Sequence, residues 1–140
     1  MTRSVVTLTG ALVLASWGAA AVTGATQAPA AGGPSTSDGV YTAEQAEAGK
    51  TAFAEKCASC HEPGKFTGAE FTRAYVGRPL VGINEAMAEM PMDNPGSLTA
   101  EDVGALIAYF LSMNKYPTGQ TALKGDAESL KAIMVSPRPQ

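Results

Sequence analysis

One pentapeptide constrains this chain more than any other feature. Cys57-Ala58-Ser59-Cys60-His61 contains both cysteines and the only histidine of the 140 residues. Two thiols three positions apart near a helix end can each add to one vinyl group of a single porphyrin. The imidazole directly after the second Cys can then reach the iron. The rival readings fit less well. A thioredoxin-like dithiol wants a βαβ setting. A zinc site usually takes four Cys or His ligands, and the chain holds three such residues in all. A disulfide between Cys57 and Cys60 would close a tight, uncommon loop. The expectation is one covalent haem c, attached through Cys57 and Cys60, with His61 as the proximal iron ligand. With one His, bis-histidine ligation within the chain is impossible. A sixth ligand must be Met, Lys, an amine or water, or be absent.

The amino-terminal segment points to export. No ionisable side chain lies between Arg3 and Asp38. Arg3 gives a minimal positive start, and Val5 to Val22 is mostly apolar. Small residues follow, with Ala19-Ala20-Ala21 and Thr23-Gly24-Ala25 both usable as cleavage sites. Residues 1–25 read as a secretory signal peptide, with an uncleaved membrane anchor as the alternative. Either reading sends the rest across the membrane, so the expected location is the periplasm. Residues 26–41 are rich in Gly, Pro and Ser and read as a flexible spacer. Residues 42–135 form the folded domain, and 136–140 a tail. The formal net charge is −3, or −4 once Arg3 is removed. An acidic chain without a basic patch is a poor nucleic-acid binder. Beyond Ala25, fewer than a quarter of the residues are large and apolar, a shortfall that suggests a non-peptide group filling the middle.

The expected fold is all-α. Thr42-Ala-Glu-Gln45 has capping-box spacing and opens a helix to about Cys57. Ala46, Gly49 and Phe53 share one face of it. Gly49 in mid-helix costs about 1 kcal/mol against Ala, which implies close approach of another helix. Residues 58–78 show little periodicity and read as loop. Pro79 can open a second helix to about Glu89, with Leu80, Ile83 and Met87 on one face, and Pro91 stops it. Thr99 and Asp102 open a third helix, which carries Val103, Leu106, Ile107, Phe110 and Leu111 and ends near Met113. A short fourth helix starts at Asp126 and carries Leu130 and Ile133.

Three features in order resemble a class I cytochrome c: Gly49-x-x-x-Phe53, the Cys57–His61 motif, and Met90-Pro91 ahead of a helix containing Tyr109. More closely, Gly77-Arg78, Met90-Pro91, Pro95-Gly-Ser-Leu-Thr99 and Leu106-Ile-Ala-Tyr-Phe-Leu-Ser-Met-Asn114 are similar to mono-haem modules found beside periplasmic quinoprotein dehydrogenases. The likeness covers about residues 42–135. Five Met follow the motif: Met87, Met90, Met92, Met113 and Met134. Met90 and Met92 flank Pro91, whose ring forces extended chain before it. The resemblance implies that Met90, the Met before the Pro, is the distal ligand. One departure stands out. Class I cytochromes usually carry a longer Gly-rich loop after the His, with a Pro whose carbonyl takes the ring N–H. Here His61-Glu-Pro-Gly-Lys-Phe66 runs straight on, and Pro63 is the nearest candidate.

The resemblance implies an electron carrier rather than an enzyme. The implied donor is a periplasmic dehydrogenase, and the implied acceptor a respiratory oxidase or another cytochrome. A haem subunit fixed in a dehydrogenase complex, and a haem peroxidase or sensor, are the alternatives. Tyr75 and Arg78 are candidates to hydrogen-bond haem propionates, against a plain aromatic core residue and a solvated Arg. Lys50, Lys56 and Lys65 are candidates for a docking surface, against ordinary exposed lysines.

Overall fold

The computed structural model describes residues 32–139. Five helices make up its regular structure: α1 (Ala43–Lys56), α2 (Gly68–Tyr75), α3 (Val81–Met87), α4 (Ala100–Met113) and α5 (Ala127–Lys131). Among the described residues there is no β-strand, only isolated bridges, and no helix is long and apolar enough to cross a membrane. The all-α expectation holds. The proposed leader, residues 1–25, lies outside the described residues.

Helices α1 and α4 start where their caps dictate. The Thr42 hydroxyl accepts the Gln45 N–H at 3.2 Å. At α4 the Asp102 carboxylate accepts the Thr99 N–H at 3.0 Å while the Thr99 hydroxyl accepts the Asp102 N–H at 3.1 Å, a complete capping box. The two helices cross with their buried faces together. Ala46, Gly49 and Phe53 of α1 are buried, as is nearly all of α4 from Val103 to Leu111. At the crossing, a Cβ on Gly49 would overlap the Ala105 carbonyl oxygen and lie 2.9 Å from Tyr109 Cβ. The helix-breaking residue in mid-helix is thus the one that lets the backbones meet.

Two stretches differ from the sequence expectation. Residues 58–78 are not plain loop: a 3-10 turn at Pro63–Phe66 is followed by α2. Phe71 is the only residue that α2 buries, and one buried residue gives no periodic stripe to read. The second expected helix, α3, begins at Val81 instead of Pro79, and Leu80 before it already has helical angles.

Of the expected flexible spacer, residues 26–31 lie outside the described residues, and its later part is ordered by packing. From Ser35 to Tyr41 the chain is packed against the carboxy-terminal strap. Thr36 is fully buried; its N–H donates to the Met134 carbonyl at 2.9 Å, and its hydroxyl accepts the Ser136 N–H at 3.0 Å. The strap pairs on its other side with the turn before α3. Gly77 N–H donates to Val135 O, Val135 N–H to Arg78 O, and Leu80 N–H to Ile133 O, at 2.8–2.9 Å. Composition cannot reveal a partner a hundred residues away. Tyr41 completes the closure, its hydroxyl donating to the Tyr116 carbonyl at 2.7 Å. Further along, the Gln45 amide bonds both backbone groups of Leu123, at 2.7 and 2.8 Å.

Candidate haem site

The end of α1 presents the motif. Cys57 and Ala58 both donate their N–H to the Phe53 carbonyl at 2.9 Å. Cys60 and His61 then donate to the Cys57 carbonyl at 3.1 and 2.9 Å. This tight turn carries two thiols and an imidazole to the edge of one cavity of about 890 Å³, within the roughly 300–1,000 Å³ usual for cofactor sites. Both cysteines are free thiols, Cys57 half-buried and Cys60 exposed. Burial pushes the Cys57 thiol up, an effect the neighbouring Lys56 charge opposes.

The cavity floor is aromatic. Phe53, Phe66 and Phe110 line it; the Phe53 ring centroid lies 5.7 Å from Phe66 and 6.0 Å from Phe110, and 5.8 Å from Tyr109, which is not part of the lining. Phe66 stacks on Phe110 at 4.6 Å, with the ring planes 5° apart. Phe66 also meets the His61 imidazole edge-on at 5.7 Å. α3 and the loop to α4 add Ile83, Met87, Met90, Met92 and Leu98 to the lining. The Met90–Pro91 peptide is cis. Met90 and Met87 are half-buried, whereas Met92 is 81% exposed. Met113 and Met134 do not line the cavity.

The donor set fits a covalently held haem. One largely apolar cavity is lined by two free thiols, an imidazole and three thioethers. Of the remaining expectations, Tyr75 lines the cavity and Arg78 does not. Burial pushes the Tyr75 phenol up. Lys56 is drawn into an ion pair with Asp102 at 2.8 Å, and Lys50 lies 4.0 Å from Glu47. Two residues around the site carry no signal in the sequence reading. Phe66 packs on the imidazole. Asn114, just past α4, is buried to 1% exposure and holds the loop that carries Phe66. An Asn after an apolar helix suggests a helix end, but its partners lie nearly fifty residues away.

Residues 44–110 match the family model for cytochrome c oxidase, cbb3-type, subunit III, just under half of the chain. Neither the curated proteins nor the solved structures gave a match. The matched segment contains the Cys57–His61 motif, the methionine loop and most of α4. Motif, cavity and family match agree: the all-α domain is similar to a cytochrome c domain over residues 44–110, a likeness that implies haem c and an electron carrier's role.

Proposed function

We propose that this protein is an exported, periplasmic carrier that takes single electrons from a dehydrogenase and passes them toward a respiratory oxidase or another cytochrome. In this reading Cys57 and Cys60 attach the haem, His61 is the proximal ligand and Met90 the distal one. The observation that carries it is the convergence of these four residues on one apolar cavity. The bound haem supplies a one-electron Fe(III)/Fe(II) couple, and the chain supplies the rest. The two thioether attachments fix the site next to the α1–α4 crossing. Phe53, Phe66, Phe110, Ile83 and Leu98 keep water from the interior. The Met90 thioether favours the reduced state over what a harder ligand would give, which raises the potential into a range suited to taking electrons from a reduced cofactor.

The donor class rests on resemblance to modules beside quinoprotein dehydrogenases and is an analogy. The description of the matched family, a subunit of an oxidase, supports a second reading: a haem subunit held permanently in a respiratory complex. A free shuttle docks through a small, transient interface and purifies alone. A subunit co-purifies with its complex.

The decisive experiments use the natively expressed protein. Its intact mass should exceed that of the peptide from the cleavage site onward by one haem, and the excess should survive acid–organic extraction. The reduced protein should barely respond to carbon monoxide at neutral pH. Rapid reduction in stopped flow by a co-expressed dehydrogenase with its substrate, slowing as salt is raised, supports the carrier reading. Extractable haem, an immediate carbon monoxide shift, or rapid peroxide turnover with slow reduction by every donor would overturn it.

A further inference from the structure

We infer that Asn114 is a positioning residue for His61, acting through Phe66. The inference rests on the proposed role of His61 as iron ligand. Ligating imidazoles are normally oriented by a hydrogen bond from the other ring nitrogen. Among the described residues, neither ring nitrogen of His61 makes a hydrogen bond. What touches the ring instead is Phe66, edge-on at 5.7 Å. In this inference the edge of Phe66 is the contact that orients the imidazole.

Asn114 fixes the placement of Phe66 with a fully used side chain. Its Nδ2 donates to the carbonyls of Phe66 and Phe110, each at 2.8 Å. Its Oδ1 accepts the Gly68 N–H at 3.1 Å, with Arg138 Nη1 a further donor at 3.5 Å. One amide thus pins the chain on both sides of Thr67 to the end of α4. The Phe66 ring is pinned to the same helix one turn earlier, stacked on Phe110. Backbone and ring of Phe66 are both referred to α4, and α4 is locked to the motif-bearing α1 at Gly49. Such buried amides, with every donor and acceptor used, specify a single local geometry.

The test compares holoprotein variants Asn114→Ala, Asn114→Asp, Phe66→Leu and Asn114→Ala/Phe66→Leu with a control, Gln45→Ala. Gln45 also ties a distant loop to a helix by two hydrogen bonds, but it does not line the cavity. Two readouts are taken: the thermal midpoint, and the hyperfine-shifted haem methyl resonances of the oxidised protein, which report imidazole orientation. Asn114→Ala and Phe66→Leu should both move the resonances, and the double variant should move them no further than Phe66→Leu alone. Gln45→Ala should lower the midpoint and leave the resonances in place. If Asn114→Ala does not fold, Asn114→Asp keeps the size and the Gly68 acceptor, loses the donors, and should move the resonances likewise. Unmoved resonances in the folded Asn114 variants, or additive shifts in the double variant, overturn the inference. Unmoved resonances in Phe66→Leu overturn it as well, whereas a His61→Ala holoprotein that keeps the parent's resonances would mean that His61 is not the ligand, which is failure of the underlying reading.

Discussion

Replacing Gly49 with alanine separates helix propensity from packing, because the two act in opposite directions. In a free helix the change gains about 1 kcal/mol. In this protein the new methyl has no room: it would overlap the Ala105 carbonyl oxygen and approach Tyr109 Cβ to 2.9 Å. The obstacle is backbone, so no rotamer change relieves it. Helix α1 must retreat from α4, and Phe53 must loosen against Phe66, Tyr109 and Phe110. Overpacking costs about 1–3 kcal/mol, and a backbone obstacle belongs at the upper end. Roughly 3 against 1 leaves a net loss of roughly 2 kcal/mol. For a domain of this size that is a fall in thermal midpoint of about 8–16 °C. Gly82 supplies the contrast. It also lies inside a helix, α3, but a Cβ there meets no atom within 4 Å. Gly82→Ala should raise stability by up to about 1 kcal/mol. Melting both variants in parallel, followed by far-ultraviolet circular dichroism and by the Soret band, decides the matter. If Gly49→Ala melts at or above the parent, the close crossing is not what joins α1 to α4.

Three further expectations follow from the site and its surroundings. Met90→Ala should abolish the weak far-red sulfur-to-iron band of the oxidised protein and Met92→Ala should leave it; the reverse result would move the distal ligand to Met92. The Lys56 hydrogen bond and the Thr99 N–H hold the Asp102 carboxyl below the ordinary carboxylate range. Its contribution is therefore complete above the unfolded value, about pH 3.9, and is lost as pH falls through the lower folded value. Asp102→Asn should cost roughly 0.5–1 kcal/mol at neutral pH, and the difference should shrink in urea melts below about pH 4; a difference constant down to pH 2 would show that the charge is immaterial. Gln45→Ala should cost about 1–3 kcal/mol by leaving the Leu123 backbone groups unpaired, and no loss in a urea titration would mean that water replaces them freely.

The parts of this fold that are legible in the sequence are those whose cause is local. Thr42 and Thr99 mark helix starts because a hydroxyl caps an amide two or three residues on. The α4 stripe shows because five apolar residues repeat at helical spacing. Gly49 shows because its cost demands a neighbour, and the structure supplies Ala105. The motif is legible for the same reason, since its chemistry fits within five residues. Closure of the domain is not local. Thr36 disappears into the interior only because Met134 and Ser136 return beside it, and no feature of a Gly-Pro-Ser segment announces such a partner. Asn114 is the same case at the site. Its four hydrogen-bond partners come from three separate stretches of chain, so its role exists only once the helices have met. The matched segment ends at residue 110, four positions short of Asn114. The residues proposed to attach and face the haem thus lie inside the matched segment, while the amide proposed to position Phe66 lies outside it. The haem motif could be read from five adjacent residues, whereas the contacts of Asn114 needed the folded chain.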